Sequence, residues 1–219
     1  MSHDTIIHRF ARPAVRVVAK TPVTPDHLTA LRFVTAVVAA AAFARGGQHW
    51  VWIGAAVFLL SAFLDRADGE LARQTKRFSQ HGHRYDLIAD WSAGAMTFVG
   101  LGIGAREGWL GAAAPVLGAL AAAGVSVLFW AINVREVAPL PRFAADNGRV
   151  LMDPDDAMFA LPPLLWCFGA SAVLLPAGVL TPLLAIWMVL RMRSTSAAPT
   201  TAELNPIDAE DLRPSDLAP

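Results

Sequence analysis

Charge is scarce in this chain. Of its 219 residues, Asp, Glu, Lys and Arg make up 16% and hydrophobic residues 55%. With a mean hydropathy of +0.44, that balance excludes an ordinary soluble enzyme and points to one membrane domain. The formal net charge is zero, and no nucleic-acid partner is expected. Cysteine occurs once, at Cys167, which rules out an internal disulfide; inside an apolar run it reads as a packing residue. No long apolar run precedes a small-residue cleavage site, so no secretory signal is expected. Internal repeats are also lacking, which argues against a transporter built from repeated halves.

Against this oily background the stretch from Asp65 to Asp90 carries four carboxylates, Asp65, Asp68, Asp86 and Asp90. Ionisable groups at membrane depth are costly and by default mark a functional site. Asp65 and Asp68 are three apart and Asp86 and Asp90 four apart, so each pair shares one face of a helix. The link between them, QTKRFSQHGH, is polar and contains Gly82, which predicts two helices meeting at a turn. Such a hairpin brings four anions together, and they repel unless cations sit between them. Hard oxygen ligands suit Mg²⁺ or Mn²⁺, ions that also hold substrate phosphates. Gly69 and Ala72 lack bulk and let a ligand lie close to the backbone, while Arg73 suits a phosphate. The chemistry implied is metal-assisted transfer at a diphosphate.

In chain order, residues 1–23 form a basic juxtamembrane segment carrying His8, Arg9, Arg12, Arg16 and Lys20 among apolar residues. It suits either an anionic membrane surface or a mobile tail. Thr24-Pro25-Asp26 is a helix start, with Thr24 as cap, and the first helix runs to about Arg45. A second helix from Trp50 to about Ser79 is roughly 45 Å long, more than a hydrocarbon core of about 30 Å. Its last turns therefore project from the membrane, and the motif begins in the inner leaflet and ends in the cytoplasm. The third helix, Arg84 to about Gly104, carries Asp86 and Asp90 in its first turns. A fourth follows over about 109–131. Residues 132–155 form an inner loop with Arg135, Arg142 and Arg149. Helices five and six span about 156–174 and 178–193, joined outside at Pro176-Ala-Gly. The tail, 194–219, is Pro, Ala and acid rich and reads as disordered. Of 18 Lys and Arg, only Arg45 and Arg106 fall in outer loops, so both termini and the site lie inside by the positive-inside rule. The glycines Gly100, Gly102, Gly104, Gly118 and Gly124 allow close helix approach, within one subunit or across a homodimer seam. The fold class expected is thus an all-α integral membrane protein, multi-pass, with a polar active site on the cytoplasmic side.

Asp65, Asp68, Gly69, Ala72, Arg73, Gly82, Asp86 and Asp90 fit D-x2-D-G-x2-A-R-x8-G-x3-D-x3-D. This resembles the signature of the CDP-alcohol phosphotransferases, also called CDP-alcohol phosphatidyltransferases. Eight fixed positions match by accident on the order of 10⁻¹⁰ per window. The helices around the motif are similar to the family's six-helix membrane fold, over residues 24–193. TPDHLTALR, residues 24–32, is similar to the family's P-N-x-L-T-x-x-R entry to its first membrane helix, with Asp26 in place of Asn. Two roles are open to Arg32: snorkelling to the interface, or holding the nucleotide or an anionic lipid.

The resemblance implies an enzyme that transfers a phosphatidyl or other substituted phosphate group from a CDP-linked donor to an acceptor hydroxyl, releasing CMP, in phospholipid biosynthesis. It implies one or two Mg²⁺ or Mn²⁺ ions as cofactors, with Asp65, Asp68, Asp86 and Asp90 as the metal set and Asp90 as the general base. Gly69, Ala72 and Arg73 correspond to the nucleotide cradle. Arg66, Lys76 and Arg77 read as solvated or lipid-facing charges, and His81 and His83 as exposed turn residues. The implied partners are a CDP-linked lipid donor, with CDP-diacylglycerol favoured, a small alcohol or polyol phosphate acceptor, and membrane lipids. The implied location is a bacterial inner membrane. Bacterial phosphatidylglycerophosphate synthases resemble G-x-x-L-D-P-x-A-D-K around the second aspartate pair; residues 82–91 here read GHRYDLIADW, which points away from a glycerol phosphate acceptor. Two rival classes share parts of the pattern. Intramembrane prenyltransferases pair aspartates with Mg²⁺ but lack the D-G-x-x-A-R continuation, and a membrane transporter or metal carrier sets its charge nearer the midplane.

Overall fold

The computed structural model describes residues 15–76, 80–135 and 158–196. Among them there are five long helices and no strand: α1 Pro25–Arg45, α2 Gln48–Thr75, α3 Gln80–Gly104, α4 Ala113–Asn133 and α5 Leu161–Ser196. Each is long and apolar enough to cross a membrane. Large apolar side chains such as Val34, Leu60, Val116, Leu183 and Ile186 face outward, the arrangement of a bundle whose solvent is lipid.

Local sequence accounts for both ends of α1. Thr24 caps α1: its Oγ1 accepts from the His27 N–H at 3.4 Å, and His27 Nδ1 accepts from the Thr24 N–H at 3.3 Å. Histidine thus takes the place that Glu or Gln usually has in a capping box. Gly46 and Gly47 turn the chain into α2. That helix ends at Thr75, four residues earlier than expected, because Lys76 adopts a left-handed conformation (φ 53°) and its N–H returns to the carbonyls of Ala72 and Arg73. In turn α3 starts at Gln80 rather than Arg84, so Gly82 and His83 lie in its first turns and not in a loop.

The helices run alternately between two ends of the bundle. α1 begins at the end that holds the aspartates, the site end, and rises to Arg45; α2 descends, α3 rises and α4 descends. α1 packs against both α2 and α3, α4 lies between α3 and α5, and α5 also touches α2. The main core sits at the far end, where Phe43, Phe58, Leu101, Leu165 and Leu174 close around Ala39, Ala55 and Ala114. Small residues bring backbones into contact there. A Cβ on Gly118 would lie 2.8 Å from Gly102 Cα and 2.6 Å from the Phe98 carbonyl oxygen. Contacts within one subunit therefore account for these glycines.

The expected join between helices five and six is moved. Pro176 and Pro182 lie inside α5, and the break falls at Gly169 (φ 78°, ψ 171°), a backbone conformation that side chains strongly disfavour. Before the break the chain climbs beside α2: the Phe159 ring lies 5.8 Å from the Arg66 guanidinium carbon, and Trp166 Nε1 donates to the Trp52 carbonyl at 3.3 Å. After it the chain descends beside α4, and Thr181 Oγ1 donates to the Ala121 carbonyl at 3.3 Å. Membrane helices tolerate internal proline where neighbours satisfy the freed backbone groups. The described rising segment, 158–168, reaches only about 16 Å at helical rise; its expected start at 156 lies outside the described residues, as do Arg142, Arg149, residues 1–14 and residues 197–219. Helix α5 continues to Ser196, past the start expected for the tail.

Within residues 15–23 one side chain is anchored to the bundle. Val15 is buried against Ala67 and Leu71 of α2, with Val18, Val23 and Leu28 around it. This small cluster seals the site end of α1 against α2.

Candidate functional site

Three helices converge at the site end. Asp65 and Asp68 project from one face of α2, Asp86 and Asp90 from one face of α3, and α1 brings Thr29 and Arg32 between them. Carboxylate oxygens of Asp65, Asp68 and Asp86 lie within 4.8 Å of one another. Asp90, one turn beyond Asp86, is joined to this group through Arg32.

Arg32 is the centre of the cluster. Only 2% exposed, it places Nη1 2.6 Å from Asp65 Oδ1, 2.7 Å from Asp86 Oδ1 and 4.0 Å from Asp68 Oδ2, while Nη2 donates to Asp90 Oδ1. Of the two roles open to Arg32, snorkelling to the interface is excluded: the side chain points into the bundle. Its own helix is fixed from behind, where Ser61 Oγ donates to the Arg32 carbonyl at 2.9 Å. Asp68 is held by Thr29 Oγ1, which donates to its Oδ2 at 2.9 Å. Arg66 donates to Asp65 Oδ2 at 2.9 Å, so it serves the cluster rather than facing lipid alone.

Four aspartates with Arg32 and Arg66 carry a formal charge of −2. Carboxylates gathered at a low-dielectric bundle end with a residual double charge and hard oxygen donors fit a divalent cation.

Next to the aspartates, the α2 face at Gly69 is open. A Cβ there would meet nothing nearer than Arg73 Nη1 at 3.9 Å, in contrast to the tightly occluded Gly118. Ala72 is half-buried. Arg73 Nε and Nη2 donate to Glu70 Oε2 at 3.2 and 2.9 Å, and Gln74 Nε2 donates to Glu70 Oε1 at 3.0 Å. Glu70 is 8% exposed. His83 is exposed, and the side chain of His81 lies outside the described residues. Between α3 and α4 an apolar cleft of about 270 Å³ is lined by Leu87, Ile88, Trp91, Phe129, Trp130 and their neighbours. Leu87 and Ile88 sit on the turn of α3 that separates Asp86 from Asp90.

Reading residues alone leaves three parts of this arrangement unassigned. Thr29 has a signal in hindsight, since it shares a face with Arg32 three residues on. Glu70 lies three and four residues before Arg73 and Gln74, a spacing that pairs side chains on a helix. The contact between Arg32 and the α3 aspartates spans 54 and 58 residues, and no local pattern reports it.

An oxygen-donor cluster that could hold a divalent ion thus sits at one end of a bundle of apolar, membrane-length helices. The chain belongs to the CDP-alcohol phosphatidyltransferase family, whose model matches residues 22–192. It is also similar to the bifunctional IPC transferase and DIPP synthase of Rubrobacter xylanophilus, 36% identical over 85 residues that cover 39% of this chain and 19% of that protein. The chain thus spans about a fifth of that relative's length. Family membership sets aside the prenyltransferase and transporter readings.

Proposed function

We propose that the protein transfers a phosphatidyl group from CDP-diacylglycerol to the hydroxyl of a small alcohol or polyol phosphate, releasing CMP. The observation that carries this is the convergence of Asp65, Asp68 and Asp86 within 4.8 Å beside an open glycine face on α2. Asp65, Asp68 and Asp86 would hold the divalent ion, Mg²⁺ or Mn²⁺, with Asp90 completing the set. Bound there, the ion supplies charge neutralisation at the diphosphate and at departing CMP.

The remaining steps belong to the chain's own groups. Gly69 and Ala72 let the nucleotide lie against α2, and Arg73, steadied by Glu70, meets its phosphate. Asp90 accepts the proton of the acceptor hydroxyl as that oxygen attacks the phosphorus farther from cytidine. The bond from that phosphorus to the bridging oxygen breaks, and CMP leaves with the electron pair. The apolar cleft beside Asp86 and Asp90 supports a donor with acyl chains over a water-soluble one, the chains lying in that cleft. The positive-inside distribution supports a cytoplasmic site in a bacterial inner membrane.

The test is CMP release by the purified full chain in liposomes with CDP-diacylglycerol and Mg²⁺ or Mn²⁺, against glycerol phosphate, inositol phosphate, inositol and serine. Release with one acceptor, lost in Asp90→Asn, names the reaction. Release only when CDP-choline or CDP-ethanolamine replaces the lipid donor would overturn the choice of CDP-diacylglycerol.

A further inference from the structure

The reaction above gives Arg32 no part, yet its guanidinium is the most buried charge of the site and touches three of the four aspartates. It uses Asp65 Oδ1, Asp86 Oδ1 and Asp90 Oδ1. Two of these carboxylates belong to the trio whose oxygens converge within 4.8 Å. A rigid fork of donors and a divalent ion therefore draw on two of the same carboxylates, and two cations crowded around one carboxylate pair repel at short range. The aspartates come from two helices, α2 and α3, and the α1 guanidinium links them.

We propose that Arg32 is an exchangeable resident cation: it holds Asp65, Asp86 and Asp90 together in the metal-free protein and yields their oxygens when a divalent ion binds. Metal and guanidinium compete, and Arg32 sets the metal concentration at which the site fills. The inference rests on the metal site of the proposed function but not on the identity of donor or acceptor.

The experiment uses the full chain in detergent with no nucleotide, and Mn²⁺ as the probe, its free concentration read by electron paramagnetic resonance. Arg32→Met is expected to bind Mn²⁺ about tenfold more tightly than wild type, as removal of a close cation requires. Its thermal midpoint without metal should fall and should recover when Mn²⁺ is added. Arg32→Lys retains the charge without the fork and should lie between the two, which keeps the test decisive if Arg32→Met does not fold. In wild type with arginine labelled at Nε, the Arg32 signal, identified by its loss in Arg32→Lys, should move during a Mg²⁺ titration with the same midpoint as binding. An Mn²⁺ dissociation constant unchanged in folded Arg32→Lys or Arg32→Met, or an Arg32 signal that ignores Mg²⁺, would overturn the exchange while leaving the metal site standing. No Mn²⁺ uptake by wild type or variants would overturn both.

Discussion

The two ends of this bundle are built on opposite principles. At the far end Phe43, Phe58, Leu101, Leu165 and Leu174 interlock, and glycines such as Gly102 and Gly118 bring backbones together until no added atom fits. At the site end the contacts are ionic: three helices meet through Arg32 and four aspartates, with Thr29 and Ser61 fixing their positions. Dispersion packing is strong only when closed, and a lipid-embedded bundle gains little from burying one apolar surface against another. Ionic contacts can exchange one cation for another without dismantling the helices. The difference teaches that apolar packing and the ionic cluster occupy opposite ends of α1, α2 and α3, with α4 and α5 completing the apolar end.

That separation can be broken by experiment. Asp90→Asn should have the largest effect, lowering CMP release by about 10²–10⁴, the usual contribution of a positioned base, with CDP binding largely retained. Retained turnover would remove Asp90 as the base. Phe58→Ala should do the converse at the far end. A large-to-small core change costs about 3 kcal/mol or more, read as a lower thermal midpoint, while the Mn²⁺ dissociation constant of the surviving folded protein stays as in wild type. A shift in metal affinity would show that the two ends are coupled.

The smallest effects sharpen the contrast through two glycines on helices. Gly118→Ala forces a Cβ against the backbone of Gly102 and Phe98 and should destabilise by about 1–3 kcal/mol. Gly69→Ala meets open space, so helix propensity alone should raise stability by up to about 1 kcal/mol. If Gly69 lies under the nucleotide, that same substitution should weaken CDP binding, measured by titration calorimetry. Opposite signs of stability change at the two glycines confirm the contrast, and equal signs would end it.

Much of this could be read along the chain because the information is local. The i,i+3 and i,i+4 spacing of the aspartates puts each pair on one helical face, the short polar link brings the faces together, and Thr24 with Pro25 starts α1 where the cap is found. Other readings failed for equally physical reasons. Pro176 reads as a connector because proline breaks helices in water, but inside a packed membrane bundle it is accommodated, and the turn falls at Gly169, whose φ of 78° few other residues tolerate. Helix α2 stops four residues short of its expected end because a left-handed Lys76 has no sequence signature of its own.

By itself, then, the sequence determined the class of chain: oily helices, one acidic double motif, and the transferase family that this motif belongs to. Periodicity and spacing act over a few residues, and that range was enough to assemble each aspartate pair. Only the tertiary structure decided what stands among the pairs. Arg32 reaches across 54 and 58 residues of chain to Asp86 and Asp90 because α1 packs between α2 and α3, and a contact made by helix packing leaves no periodic trace in either segment.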